Sequence, residues 1–103
     1  MKQLTNENFK EVLEGKGKRV IKLKSQGCVP CNLVGQTLEE IEGNYPSIEF
    51  IEADAGTPQG RKLAIQLQVM SVPTLAFIVD GEVKTVLQGM QSKATIEKHL
   101  EEM

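Results

Sequence analysis

Cys28 and Cys31, separated by Val29 and Pro30, are the two cysteines of this chain. At this spacing a disulfide closes so small a loop that its chain-entropy benefit to folding is minor. A thiol–disulfide switch is the economical use of the pair: one exposed low-pKa thiolate attacks, and the thiol beside it resolves the mixed disulfide. Other uses of two thiolates ask for more ligands than the chain holds. A zinc site needs four, and His99 is the one histidine available to join the cysteines. An iron–sulfur cluster ordinarily takes four cysteines, so it would have to form between two chains.

The elements that position the pair follow from periodicity. Thr5-Asn6 offers N-cap oxygens to a first helix, whose apolar stripe is Phe9, Val12 and Leu13 and which Gly15 and Gly17 end. Arg19–Lys24 reads as a strand, with Ile21 and Leu23 on one face and Lys22 and Lys24 on the other. A second helix starts at the cysteine motif and carries Val34, Leu38, Ile41 and Tyr45. Ile48–Ala53 is the next strand. Thr57 as N-cap and Pro58 at the first position open a third helix, with Leu63, Ala64 and Leu67 inward.

Thr74–Val79 is a largely apolar strand, and Asp80-Gly81 turns it back into an antiparallel strand over Glu82–Gln88. Ser92 caps a last helix bearing Ile96, Leu100 and Met103. The order (β)αβαβαββα predicts an α/β fold, one central mixed β-sheet flanked by helices on both faces. In such folds chemistry collects at the carboxyl ends of the parallel strands, where Cys28 falls.

Cys28 at a helix start meets unpaired backbone N–H groups and the positive end of the helix dipole, both of which favour thiolate. Cys31, a turn further in, is expected to be more buried. Cys28 is therefore assigned as the nucleophile and Cys31 as the resolving thiol. Pro30 brings no N–H, which removes one donor from the thiolate and favours a reducing couple. A lysine directed at the site, Lys22 or Lys24, would lower the Cys28 pKa.

Composition bounds the rest. A length of 103 residues predicts a single domain, 1–103. A net charge of −2 offers no case for nucleic acid or an anionic membrane surface. The first residues hold no apolar signal core and no run approaches a membrane span, so a cytoplasmic protein is expected. There a C-x-x-C pair is more often catalytic or metal-binding than structural.

From Leu4-Thr5 to Leu100 the chain resembles the thioredoxin family. The likeness rests on strand–Cys28-Val29-Pro30-Cys31–helix, on Val69-Met70-Ser71-Val72-Pro73-Thr74, on the hairpin Asp80-Gly81-Glu82, and on Gly89 followed by Ser92-Lys93. It implies a thioredoxin fold and a protein-disulfide reductase that works through a mixed disulfide. It also implies that Pro73 is a cis proline opposite the cysteines, turning the Val72 backbone toward an extended substrate segment that adds like a strand. Gly89 would leave room for that segment, and Val29, Pro30 and Met70 would line the groove.

No bound cofactor is implied, only a redox-active disulfide re-reduced by an external thioredoxin-reductase-like enzyme, in a monomer that acts on disulfide-containing proteins.

Four positions depart from the family pattern. Gly27 stands where Trp usually precedes the first cysteine, Lys24 where a second aromatic is usual, and Gln36 where a proline often bends the second helix. Lys22 replaces the buried aspartate proposed to take the proton of the resolving thiol. A charged lysine cannot do that, and burying it unpaired is costly: either it reaches solvent or a partner such as Glu52, the expected outcome because long lysine stems snorkel, or it sits uncharged. The proton acceptor for Cys31 stays unassigned, with water available. His99, beside the Ile96–Leu100–Met103 stripe, reads as a boundary-packing residue.

Two alternatives stand beside the main reading. One is a glutaredoxin-like redoxin donating electrons to ribonucleotide reductase, although Gln88-Gly89-Met90-Gln91 lacks the acidic turn for glutathione. The other is a non-catalytic thioredoxin-fold binding module.

Overall fold

Strand β2 (Lys18–Lys24) runs through the middle of a five-stranded sheet in the computed structural model of the chain, which describes residues 1–103. Along the chain the elements are β1 (Lys2–Gln3), α1 (Phe9–Glu14), β2, α2 (Val29–Ile41), β3 (Ile48–Asp54), α3 (Pro58–Leu67), β4 (Thr74–Val79), β5 (Glu82–Gln88) and α4 (Lys93–Glu101). A 3-10 turn over Glu42–Asn44 follows α2. The sheet order is β1-β3-β2-β4-β5. Strands β1, β3 and β2 are parallel, and β4 and β5 run antiparallel to their neighbours. This is the thioredoxin fold and the mixed sheet that the sequence predicts.

Two apolar cores hold the layers together. On one face Phe9 and Val12 of α1 and Leu63 of α3 pack on Ile21 and Leu23 of β2, Ile51 and Ala53 of β3, and Ile78 of β4. On the other, Val34, Leu38 and Ile41 of α2 and Ile96 and Leu100 of α4 pack on Val20, Phe50, Leu75 and Phe77. A central strand covered on both faces buries consecutive residues, and Val20 through Leu23 are all buried. Lys22 therefore points into the α2 side of the sheet rather than toward water.

The caps follow local chemistry. Thr57 Oγ1 accepts the Gly60 N–H at 3.1 Å, and Ser92 Oγ accepts that of Thr95 at 3.1 Å. The first helix differs from expectation: it begins at Phe9 with Asn8 as N-cap, not at Thr5-Asn6. Thr5 N–H donates to Asn8 Oδ1 at 2.7 Å and Asn8 N–H to Thr5 Oγ1 at 3.1 Å. These reciprocal bonds close a separate turn before the helix, so the Thr5 oxygen is spent there. At the hairpin Asp80 and Gly81 both take positive φ, 51° and 81°, as a two-residue type I′ turn requires. No helix is long and apolar enough to cross a membrane.

Candidate redox site

The carboxyl end of β2 leads through three residues, Ser25-Gln26-Gly27, to Cys28, which is the N-cap of α2. Its Sγ accepts the Cys31 N–H at 3.2 Å, and its carbonyl accepts that of Asn32 at 3.1 Å. Pro30 occupies the second helical position, where its missing N–H costs the helix nothing. The donor that reaches the Cys28 sulfur is thus the amide of its own redox partner. Cys28 and Cys31 are joined by a disulfide with Cα atoms 5.3 Å apart. Cys28 is half-buried at the helix start while Cys31, a turn further in, is 0 % exposed.

Beneath this turn lies a buried charge. Lys22 is only 3 % exposed, and its Nζ sits 2.7 Å from Glu52 Oε2 and 3.3 Å from the Cys31 carbonyl oxygen. Lys22 and Glu52 are register partners on adjacent parallel strands, so the pairing is set by the sheet. The sequence expects Lys22 to reach solvent or a partner such as Glu52, and the structure places it on that partner and away from solvent. Gly35, inside α2, makes room for it: a Cβ there would fall 2.5 Å from Lys22 Nζ. Burial raises the Glu52 carboxyl, but hydrogen bonds from Lys22 and Gln3 and the charges of Lys22 and Lys24 outweigh it and hold the group below its ordinary value.

Lys24 turns to Asp54, Nζ to Oδ2 at 3.6 Å, instead of toward the cysteines. Gly27 has φ +71°, the left-handed region where a side chain is strained, so the residue before Cys28 takes a turn suited to glycine. Helix α2 runs unbroken from Val29 to Ile41 past Gln36.

The segment before β4 comes to the same end of the sheet, because Thr74 pairs with Leu23 next to Lys24. The Val72-Pro73 peptide bond is cis. Gly89 N–H donates to the Pro73 carbonyl at 2.8 Å and Ser71 Oγ–H to Gln88 Oε1 at 3.0 Å, which ties the proline loop to the end of β5. The Val72 amide and carbonyl have no hydrogen-bond partner in the chain. Val29, Pro30 and Met70 are exposed, Met70 completely, while Pro73 is buried and Gly89 half-buried with φ +88° and open space beside it.

His99 packs its ring on Phe77, with centroids 5.4 Å apart, and lies 3.7 Å from Glu102. It is the boundary residue the sequence suggests. Sequence reasoning did not single out Gly35. The available signal was an interior glycine in an otherwise good helix, which has a cost unless something needs the space.

A family profile described as Thioredoxin matches residues 1–102. The thioredoxin of Acetoanaerobium sticklandii is 34 % identical over 84 residues, covering 80 % of this chain and 78 % of its own length. That of Staphylococcus haemolyticus is 29 % identical over 95 % of this chain and 96 % of its own. Among solved structures, oxidised mitochondrial thioredoxin 3 of Saccharomyces cerevisiae superposes with a TM-score of 0.86 over 100 % of this chain and 95 % of that one, at 22 % identity. The glutaredoxin-like and non-catalytic alternatives are not favoured by these matches.

Proposed function

This chain belongs to the thioredoxin family and is a thiol–disulfide oxidoreductase with protein-disulfide reductase activity; from that premise we propose how its residues divide the work. Cys28 thiolate attacks a disulfide in a partner protein, forming a mixed disulfide as one partner sulfur leaves. Cys31 then loses its proton and attacks Cys28 Sγ. The second partner sulfur leaves with its electron pair, and Cys28–Cys31 becomes the disulfide. The observation that carries this assignment is the half-exposed N-cap position of Cys28 against the complete burial of Cys31. A thiol that cannot reach solvent meets only the mixed disulfide formed next to it.

The substrate segment lies along Val72, whose unpaired amide and carbonyl suit an added strand. Pro73 holds that edge opposite the cysteines, Gly89 leaves it uncovered, and Val29, Pro30 and Met70 supply apolar contact. An external reductase of the thioredoxin-reductase kind restores the dithiol, in a reducing compartment such as the cytoplasm. Residues 1–103 serve as one domain, acting as a monomer on protein disulfides.

Insulin reduction by dithiothreitol tests the assignment. Wild type should accelerate it, and Cys28→Ser should match the blank. Cys31→Ser should trap the mixed disulfide. Equal rates for wild type and Cys28→Ser would remove Cys28 from the role.

A further inference from the structure

The reaction leaves one buried charge beside the dithiol without a role, the Lys22 ammonium. Its Nζ contacts the Cys31 carbonyl and the open space over Gly35. Cys31 and Gly35 are four residues apart in α2 and share one helix face. The ammonium therefore lies against the face that carries the resolving sulfur. A cation within a few ångströms of a thiol favours its thiolate, and more strongly where water is excluded.

We propose that Lys22 is a positioning residue for the resolving step: its buried charge favours the Cys31 thiolate, and Glu52 sets how strongly it does so. The proposal rests on the Cys28–Cys31 assignment above. Lys22 exchanges no proton in the step. Cys31 thiol gives its proton to water, the thiolate attacks Cys28 Sγ, and the bond from Cys28 to the substrate sulfur breaks. Where the family usually keeps a carboxylate to receive that proton, a cation here stabilises the anion left behind.

The surroundings make the charge effective. Glu52 on β3 faces Lys22 directly, and the Cys31 carbonyl faces it from α2. The β4 register partner, Leu75, is apolar, as are Ile96 and Leu100 of α4 on the same side of the sheet. Gln3 of β1 and Lys24 of β2 act on Glu52. Glu52 thus offsets part of the Lys22 charge, and weakening it should strengthen the effect on Cys31.

Stopped-flow reaction of the reduced protein with a nitrobenzoate disulfide separates the two steps. One coloured thiolate leaves when Cys28 attacks, and a second when Cys31 displaces it. In Lys22→Met the pH midpoint of the second step should rise by about one pH unit, slowing it about tenfold at neutral pH, with the first step changed less than about threefold. Glu52→Gln breaks the same ion pair from the other side and should move the midpoint down, quickening the second step at low pH.

A merely structural ion pair predicts the same direction for both variants. Shifts of one sign, or an unmoved midpoint in either variant, overturn the proposal. If Lys22→Met does not fold, Glu52→Gln decides alone. Should the second thiolate still appear in Cys31→Ser, the dithiol assignment itself fails, a result distinct from an unmoved midpoint.

Discussion

Lys22 Nζ fills the space that any residue larger than glycine would claim at position 35, since a Cβ built there falls 2.5 Å from it. A strand residue and a helix residue thirteen positions apart in sequence are thus mutually dependent. Gly35→Ala would gain about 1 kcal/mol from helix propensity alone. Displacing the ammonium from Glu52 disrupts a mostly buried pair, so we expect a net loss of about 1–3 kcal/mol in urea unfolding. In a Lys22→Met background the same change should be neutral or stabilising. A destabilisation of equal size in both backgrounds would show that the clash is not with Lys22.

Acid should weaken the fold through Glu52 and Glu49. For both, burial pushes the carboxyl up, but it is outweighed: by Lys22 and Gln3 hydrogen bonds at Glu52 and by those of Lys2 and Arg19 at Glu49. Each sits below its ordinary value of 4.5. The unfolded chain then binds more protons than the folded one in that window, so stability rises with pH there. Their contribution is fully present above pH 4.5 and is lost as pH falls through the lower folded values. Urea midpoints should decline below that pH in wild type and less steeply in Glu52→Gln. Parallel curves would remove Glu52 from the account.

Tyr45 offers an alkaline probe, because it is the one tyrosine and the chain has no tryptophan. Its hydroxyl donates to Glu101 at 3.1 Å and lies 3.5 Å from Glu97. Burial and these two carboxylates push its pKa from 10.0 up to about 12. Stability from the neutral phenol is complete below pH 10.0 and is lost as pH climbs through about 12. Phenolate absorbance should rise near 12 in the native protein and near 10.0 in urea. A native midpoint at the unfolded value would dissolve the contact with α4.

Met70 is completely exposed beside the proline loop, so Met70→Ser should leave stability within about 0.5 kcal/mol. If its side chain packs on the substrate, losing about 1 kcal/mol of apolar contact raises KM for insulin about fivefold with kcat little changed. An unchanged KM would take Met70 out of the groove.

Much of this protein is determined by sequence alone. The Cys28–Cys31 spacing, the Thr57 and Ser92 caps and the Asp80-Gly81 turn are local chemistry, legible because each effect reaches only a few residues. The alternation in β2 likewise reveals that Lys22 and Ile21 face opposite ways. Where local partners compete, the reading slips by a turn, as when Thr5 and Asn8 bond each other and move the start of α1 to Phe9. Tertiary structure alone decided what lies over the second face of β2. Burial of Lys22 depends on α2 closing over a central strand, and its tolerance depends on Glu52 arriving thirty residues later in register and on Gly35 yielding its volume. Such contacts depend on chain positions that periodicity cannot relate, so the motif and the lysine were visible in the sequence, while the burial of its charge and the space that Gly35 yields were not.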